Sequence, residues 1–280
     1  MHKNVTCLIL LASGLFPATT LAEDAQSIID KVLELQDERR EGVNRYVVEQ
    51  SVMGHISKVV FERVTVTGPD GKQVETFRVV LPDEYLSADG EVAVTREEFD
   101  GMAENAVHTL ADFADAAELV GTESVDGKDT YHLVAKNLNR TEEFSAGHSF
   151  TLQTVNVWVD TDMYVPLKMT MDGLLDTDGT PRPVTMDKQD LDYRNVPGSN
   201  MYESYKQIMN MNGVMSDETR EQVEEARVQL EEFDQELASM PESQREMMMN
   251  MMGDQIEMVR KLAAGDGLEI VTEVVSITVE

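Results

Sequence analysis

VNVWVDTDMYVPLKMTMDG, residues 155–173, decides the fold. Apolar and polar side chains alternate through Val155-Asn156-Val157-Trp158-Val159, the period of a strand with one buried face. Asp160 to Tyr164 interrupts the run with turn formers, and Pro166 opens a second alternating run in which Leu167, Met169 and Met171 share a side. Two strands joined by so short a link must run antiparallel. Read upstream, residues 149–159 (SFTLQTVNVWV) keep the alternation, which places Phe150, Leu152 and Trp158 on one face.

The same period recurs outward from this hairpin. Residues 44–53 (NRYVVEQSVM), 57–67 (SKVVFERVTVT) and 74–81 (VETFRVVL) are rich in β-branched and aromatic residues. Pro69-Asp70-Gly71 turns the chain between the last two, and Asp126-Gly127 suits a two-residue hairpin turn. Residues 184–195 and 267–279 supply two further strands. Hairpin links combined with alternation predict an antiparallel sheet. Helical spacing appears elsewhere. Ala25, Ile28, Ile29, Val32 and Leu35 predict an amphipathic helix over about 24–39, and Phe99, Met102, Ala103, Ala106, Leu110, Phe113 and Ala117 a second. Val223, Ala226, Leu230, Phe233, Leu237 and Met240 form a heptad seam that Pro241 ends. Met249, Met252, Ile256, Val259 and Ala263 stripe a following helix. The expectation is an α+β chain whose sheet is interrupted, before its last strand, by an α-helical hairpin at about 200–265.

Composition narrows the function. The 280 residues carry 23 basic and 53 acidic side chains, a net charge of −30, so a phosphate backbone would be repelled and nucleic acid is excluded as a partner. One cysteine excludes a disulfide scaffold and a thiolate metal site. Residues 1–22 read as a signal peptide: Lys3, the apolar run Val5 to Phe16, then Thr20 and Ala22 flanking a cut before Glu23. Cys7 lies inside the apolar run without a lipobox, so the reading is export to the periplasm without a lipid anchor. No later stretch is apolar for long enough to span a bilayer, and residues 23–280 read as one domain.

Residues 118–135 (ELVGTESVDGKDTYHLVA), 155–173 and 190–196 (DLDYRNV) together resemble the LolA/LolB-like periplasmic lipoprotein-carrier superfamily. The shared pattern is a glycine, a Val-Asp-Gly hairpin and a strand, then Val-x-Val-Trp-Val-Asp, a short turn and a Pro-Leu-Lys strand. The resemblance implies a strongly curved antiparallel half-barrel sheet with helices on its concave side. It implies that the concavity binds acyl chains of lipoproteins, related hydrophobic ligands or signalling partners. Candidate wall residues are then Phe61, Phe77, Leu81, Phe150, Leu152, Trp158, Leu167 and Met169, with Met251 on the hairpin near the opening. The early Arg-Pro element of the carriers is not matched, because Arg78 and Pro82 are separated in Phe77-Arg78-Val79-Val80-Leu81-Pro82.

Catalytic patterns are absent from the sequence. There is no His-Glu-x-x-His, no Gly-x-Ser-x-Gly and no phosphate-cradling glycine loop. His55, His108, His132 and His148 have no ligand spacing, and Asp160 with Asp162, like Asp176-Thr177-Asp178-Gly179, reads as a turn. The expectation is a non-enzymatic binding protein without a cofactor. One alternative is a Cu(I) or Ag(I) site of thioethers from Met247, Met248, Met249, Met251 and Met252, because soft sulfur suits those ions. Another is a module for an envelope protein partner, on the same fold but without a small ligand.

Overall fold

The computed structural model describes residues 23–80, 113–214 and 267–280, save six positions within them, together with isolated positions between 225 and 245. The elements are α1 (Ala25–Arg39), β1 (Arg45–Val52), β2 (His55–Thr67), β3 (Gln73–Val80), β4 (Ala117–Val125), β5 (Lys128–Ser145), β6 (His148–Asp160), β7 (Pro166–Asp176), β8 (Arg182–Asn195), β9 (Tyr202–Asn212) and β10 (Leu268–Val279). The ten strands form one sheet in the order β3-β2-β1-β10-β9-β8-β7-β6-β5-β4. Every neighbouring pair is antiparallel, as hairpin links dictate. β3 and β4 are its edges among the described residues, so the sheet is open.

The helix α1 begins where Asp24 accepts the Ser27 N–H at 2.8 Å, an N-cap that satisfies an orphan donor. Its apolar stripe turns onto one face of the sheet. Ala25, Ile28 and Ile29 are buried with Phe113, Leu133, Ala135, Leu152, Val155 and Val159, and Met169 and Met171 pack against this cluster. A second cluster lies on the same face, by register, at the β1–β2–β3 end: Val43, Tyr46, Val48, Val196, Met201, Tyr205 and Ile277, flanked by Phe61 and Phe77. Tyr46 stacks on Phe61 with ring centroids 4.7 Å apart and meets Phe77 edge-on at 5.2 Å. Burial pushes the Tyr46 phenol up to about 12. We call the face carrying both clusters the inner face.

Bulges bend the strands. Register shifts fall at Val120, around Asn137 to Asn139, at Gln153 and at Val275, each an extra residue or more on one strand of a pair. Bulges of this kind raise twist and curve a sheet. The Gln153 bulge corrects one expectation. An extra residue inverts the alternation beyond it, so Phe150 and Leu152 share the inner face with Val155, Val157 and Val159, and Trp158 lies on the opposite side.

Two further expectations change. Residues 202–212 are a strand, not the start of a helical insert, because they pair on both sides, with β8 and with β10. Ala117 opens β4 instead of continuing a helix, and only Phe113–Ala116 are helical before it. Within the expected hairpin Glu225, Val228, Phe233 and Leu237 are helical, and Pro241 starts a new turn, its carbonyl accepting from Gln244 and Arg245. The rest of 215–266, and the expected helix from Phe99 to Leu110, lie outside the described residues, as does the segment 1–22.

Candidate functional site

Between the two packed clusters the inner face is lined by methionine. Met171 on β7, Met186 on β8, Met211 on β9 and Leu268 on β10 stand directly opposite one another across four consecutive strands. One step along the strands Met169, Lys188, Met209 and Ile270 form a second row on the same face. All eight are half-buried. Directly opposed Cβ atoms lie about 5 Å apart, so neighbouring thioethers touch. A third row holds Asp190, Gln207 and Thr272. The face is therefore graded, from polar at Asp190 to wholly apolar at Met186, over four residues of strand or about 13 Å.

Lys188 and Asp190 are next neighbours on that face and form an ion pair, Nζ to Oδ2 at 2.9 Å. The Asp190 side chain is only 9% exposed. At the apolar end, Gly213 and Gly267 both adopt positive φ. A Cβ at Gly213 would strike the Pro183 carbonyl, and one at Gly267 the Met211 carbonyl, so only glycine lets the chain leave β9 and re-enter β10 so close to the sheet. The segment 215–266 thus departs and returns beside Met211 and Leu268.

The opposite face is polar. Trp158 stacks on His132 at 4.4 Å, Lys168 sits over its ring at 5.1 Å, and its Nε1 donates to Glu123 at 3.0 Å. Hydrogen bonds from Trp158 and then from His132 hold the Glu123 carboxyl below the usual carboxylate range. Asn156 joins His132 to Thr170, and Lys168 reaches Asp187 at 3.1 Å. These are cross-strand pairs that brace β4 to β8.

The residues expected to line a concavity are thus distributed. Leu152 and Leu167 are buried, 6% and 4% exposed, and Met169 lies in the methionine rows. Phe150 covers Gly173, whose absent Cβ would lie 2.6 Å from the ring. Phe61 and Phe77 belong to the second cluster, where Arg40 and Arg63 stand over the Phe77 ring. Trp158 is on the outer face. Leu81, Met247, Met248, Met249, Met251 and Met252 lie outside the described residues. Met186, Lys188, Asp190, Met209 and Met211 were not expected to share a site. The alternation Met186-x-Lys188-x-Asp190 was the available signal.

Chemistry at the former turn candidates is structural. Asp160 is 5% exposed and its Oδ1 accepts the N–H groups of Asp162 and Met163 at 2.9 and 2.8 Å. Asp176 accepts the Gly179 N–H at 2.7 Å. Among the described residues no group of three or more His, Cys, Asp or Glu side chains is placed to hold a metal ion. No helix among them is long and apolar enough to cross a membrane.

No protein-family model matches the chain, and no curated protein sequence does. Among solved structures it is similar to a DUF1329 family protein from Desulfovibrio piger, at 10% identity and a TM-score of 0.38, over 91% of this chain and 92% of that one. It is similar to a putative outer membrane lipoprotein-sorting protein domain from Vibrio parahaemolyticus, at 11% identity and a TM-score of 0.37, over 90% and 93%. The Mycobacterium tuberculosis lipoprotein LppX is similar at 13% identity and a TM-score of 0.23, over 52% and 88%.

Proposed function

We propose that this chain is an exported, non-enzymatic binding protein of the periplasm that holds an acyl chain, or another hydrophobic ligand, against the inner face of a half-barrel. One observation carries the reading: two close-packed clusters on a single sheet face are joined by methionine rows that stay half-buried. Methionine is unbranched and polarizable, so such a strip adapts to ligands of varied shape. The bulges supply curvature, and residues 215–266, with Met251 among them, close over the apolar end. Each methylene transferred from water to the strip contributes about 0.8 kcal/mol. The resemblance of residues 118–135, 155–173 and 190–196 to the lipoprotein carriers points the same way.

The test is native purification from an envelope fraction, solvent extraction and mass spectrometry, alongside titration of lipid-free protein with an uncharged naphthylamine dye. Stoichiometric lipid and saturable dye uptake are expected. Protein that carries no lipid and takes up no dye refutes the reading. A second reading is favoured by the row Met171, Met186 and Met211, which sets three thioethers side by side as a Cu(I) or Ag(I) ion requires. Silver titration of the parent and of Met186→Leu separates the two: equal, weak binding in both leaves only the hydrophobic ligand.

A further inference from the structure

We infer that the ligand of the inner face carries an uncharged head that donates a hydrogen bond, a hydroxyl or an amide N–H, and that Asp190 receives it. This rests on the hydrophobic-ligand reading above and adds the head group. Asp190 is 6% exposed. One carboxylate oxygen, Oδ2, takes the Lys188 ammonium, while the other, Oδ1, is buried and has no hydrogen-bond partner among the described residues. Buried polar atoms are almost always bonded, and a buried carboxylate oxygen left bare is costly. A donor arriving at Oδ1 removes that cost.

The surroundings select the kind of donor. Asp190 shares its row with Gln207 and Thr272, which offer an amide and a hydroxyl to the rest of a polar head. The methionine rows lead away from it along the same face and receive the tail. A carboxylate head would bring like charge against Asp190 in a chain of net charge −30, and Lys188, already neutralised, has little left to attract it. A quaternary ammonium has no N–H to give.

The experiment displaces the naphthylamine dye from the full exported chain with three ligands of equal chain length: hexadecanol, hexadecanoate and hexadecyltrimethylammonium. Hexadecanol should displace it at least tenfold more tightly than either of the others, which corresponds to about 1.4 kcal/mol. Asp190→Asn frees Lys188 of its counter-ion and should reverse the order of alcohol and carboxylate. The ranking in the unaltered protein needs no variant, so a poorly folded Asp190→Asn does not spoil the test. Dye that binds but is displaced equally well by hexadecanoate overturns the inference and leaves the hydrophobic reading standing. An unchanged order in a folded Asp190→Asn overturns it as well. Failure of the dye to bind overturns both.

Discussion

Met186→Asp separates a ligand face from ordinary core. Met186 sits mid-row, half-buried, between Met171 and Met211. Fully burying a methionine side chain contributes about 1.5–3 kcal/mol, so losing a half-buried one costs folding about 1 kcal/mol. In the empty protein the new carboxylate keeps much of its water. A bound hydrocarbon must strip that water, and the effective penalty for burying an unpaired ion is several kcal/mol. Taking about 3 kcal/mol, affinity for the dye or for lipid should fall more than a hundredfold. Leu133→Ala is the control, since Leu133 is 1% exposed within the α1 cluster. It should cost about 2–5 kcal/mol of stability while leaving affinity per folded molecule unchanged. Urea denaturation and dye titration are run on both variants. Folded Met186→Asp that binds within threefold of the parent would refute the assignment of these rows to a ligand.

Four more outcomes are expected. Ile28→Ala, at a fully buried position of α1, should lower stability by about 2–5 kcal/mol in urea melts. At Asp160 burial is the strongest influence and pushes the carboxyl up, but the N–H groups of Met163 and Asp162 and the Lys128 ammonium outweigh it and hold the carboxyl below its usual range. A depressed folded-state value gives stability that is present above the unfolded value and lost as pH falls through the folded one, so unfolding free energy should drop below about pH 4, and less steeply in Asp160→Asn. Trp158 is the only tryptophan and faces away from the methionine rows, so its emission should respond to Glu123→Gln and stay constant on lipid uptake. Met186→Ile with Met211→Ile should raise stability by about 0.5–1 kcal/mol through strand preference, and a loss above about 2 kcal/mol in urea would identify the rows as close-packed core.

Much of the fold was legible because one physical signal, alternation, survives in the sequence. Residues 155–159 and 166–171 read as a hairpin and form one, and the stripe Ala25-Ile28-Ile29 reads as the buried side of α1 and is. Misreadings arose where a long-range effect decides. The Gln153 bulge inverts the face of everything after it, and nothing in SFTLQTVNVWV marks the extra residue, because Phe150, Leu152 and Trp158 are all large and apolar. β9 was hidden because Met209 and Met211 have no strand preference and adjoin a methionine-rich stretch of helical spacing; pairing with β8 and β10 settles its conformation. The candidate site was legible only in part. Met169 and Met171 were placed on one side of β7 from spacing alone, but the row they belong to is a property of register across four strands.

The choice of residue along that row is itself informative. A sheet face meant to be filled by permanent core does best with β-branched and aromatic side chains, which hold few rotamers and favour the strand. Both clusters follow that rule: Val155 and Val159 on one side, Tyr46, Val48 and Ile277 on the other. The strip between them does not. Methionine recurs there on β7, β8 and β9, where strand formation does not ask for it, and its three rotatable bonds make it a poor choice for a rigid contact. A polar row ending in a buried carboxylate with one bare oxygen adjoins it, which is a costly thing to build into a core and a useful one to build beside a ligand's head. Adaptable side chains next to an unmet hydrogen-bond acceptor, on a face otherwise closed by rigid packing, make physical sense together only if something outside the described strands completes them.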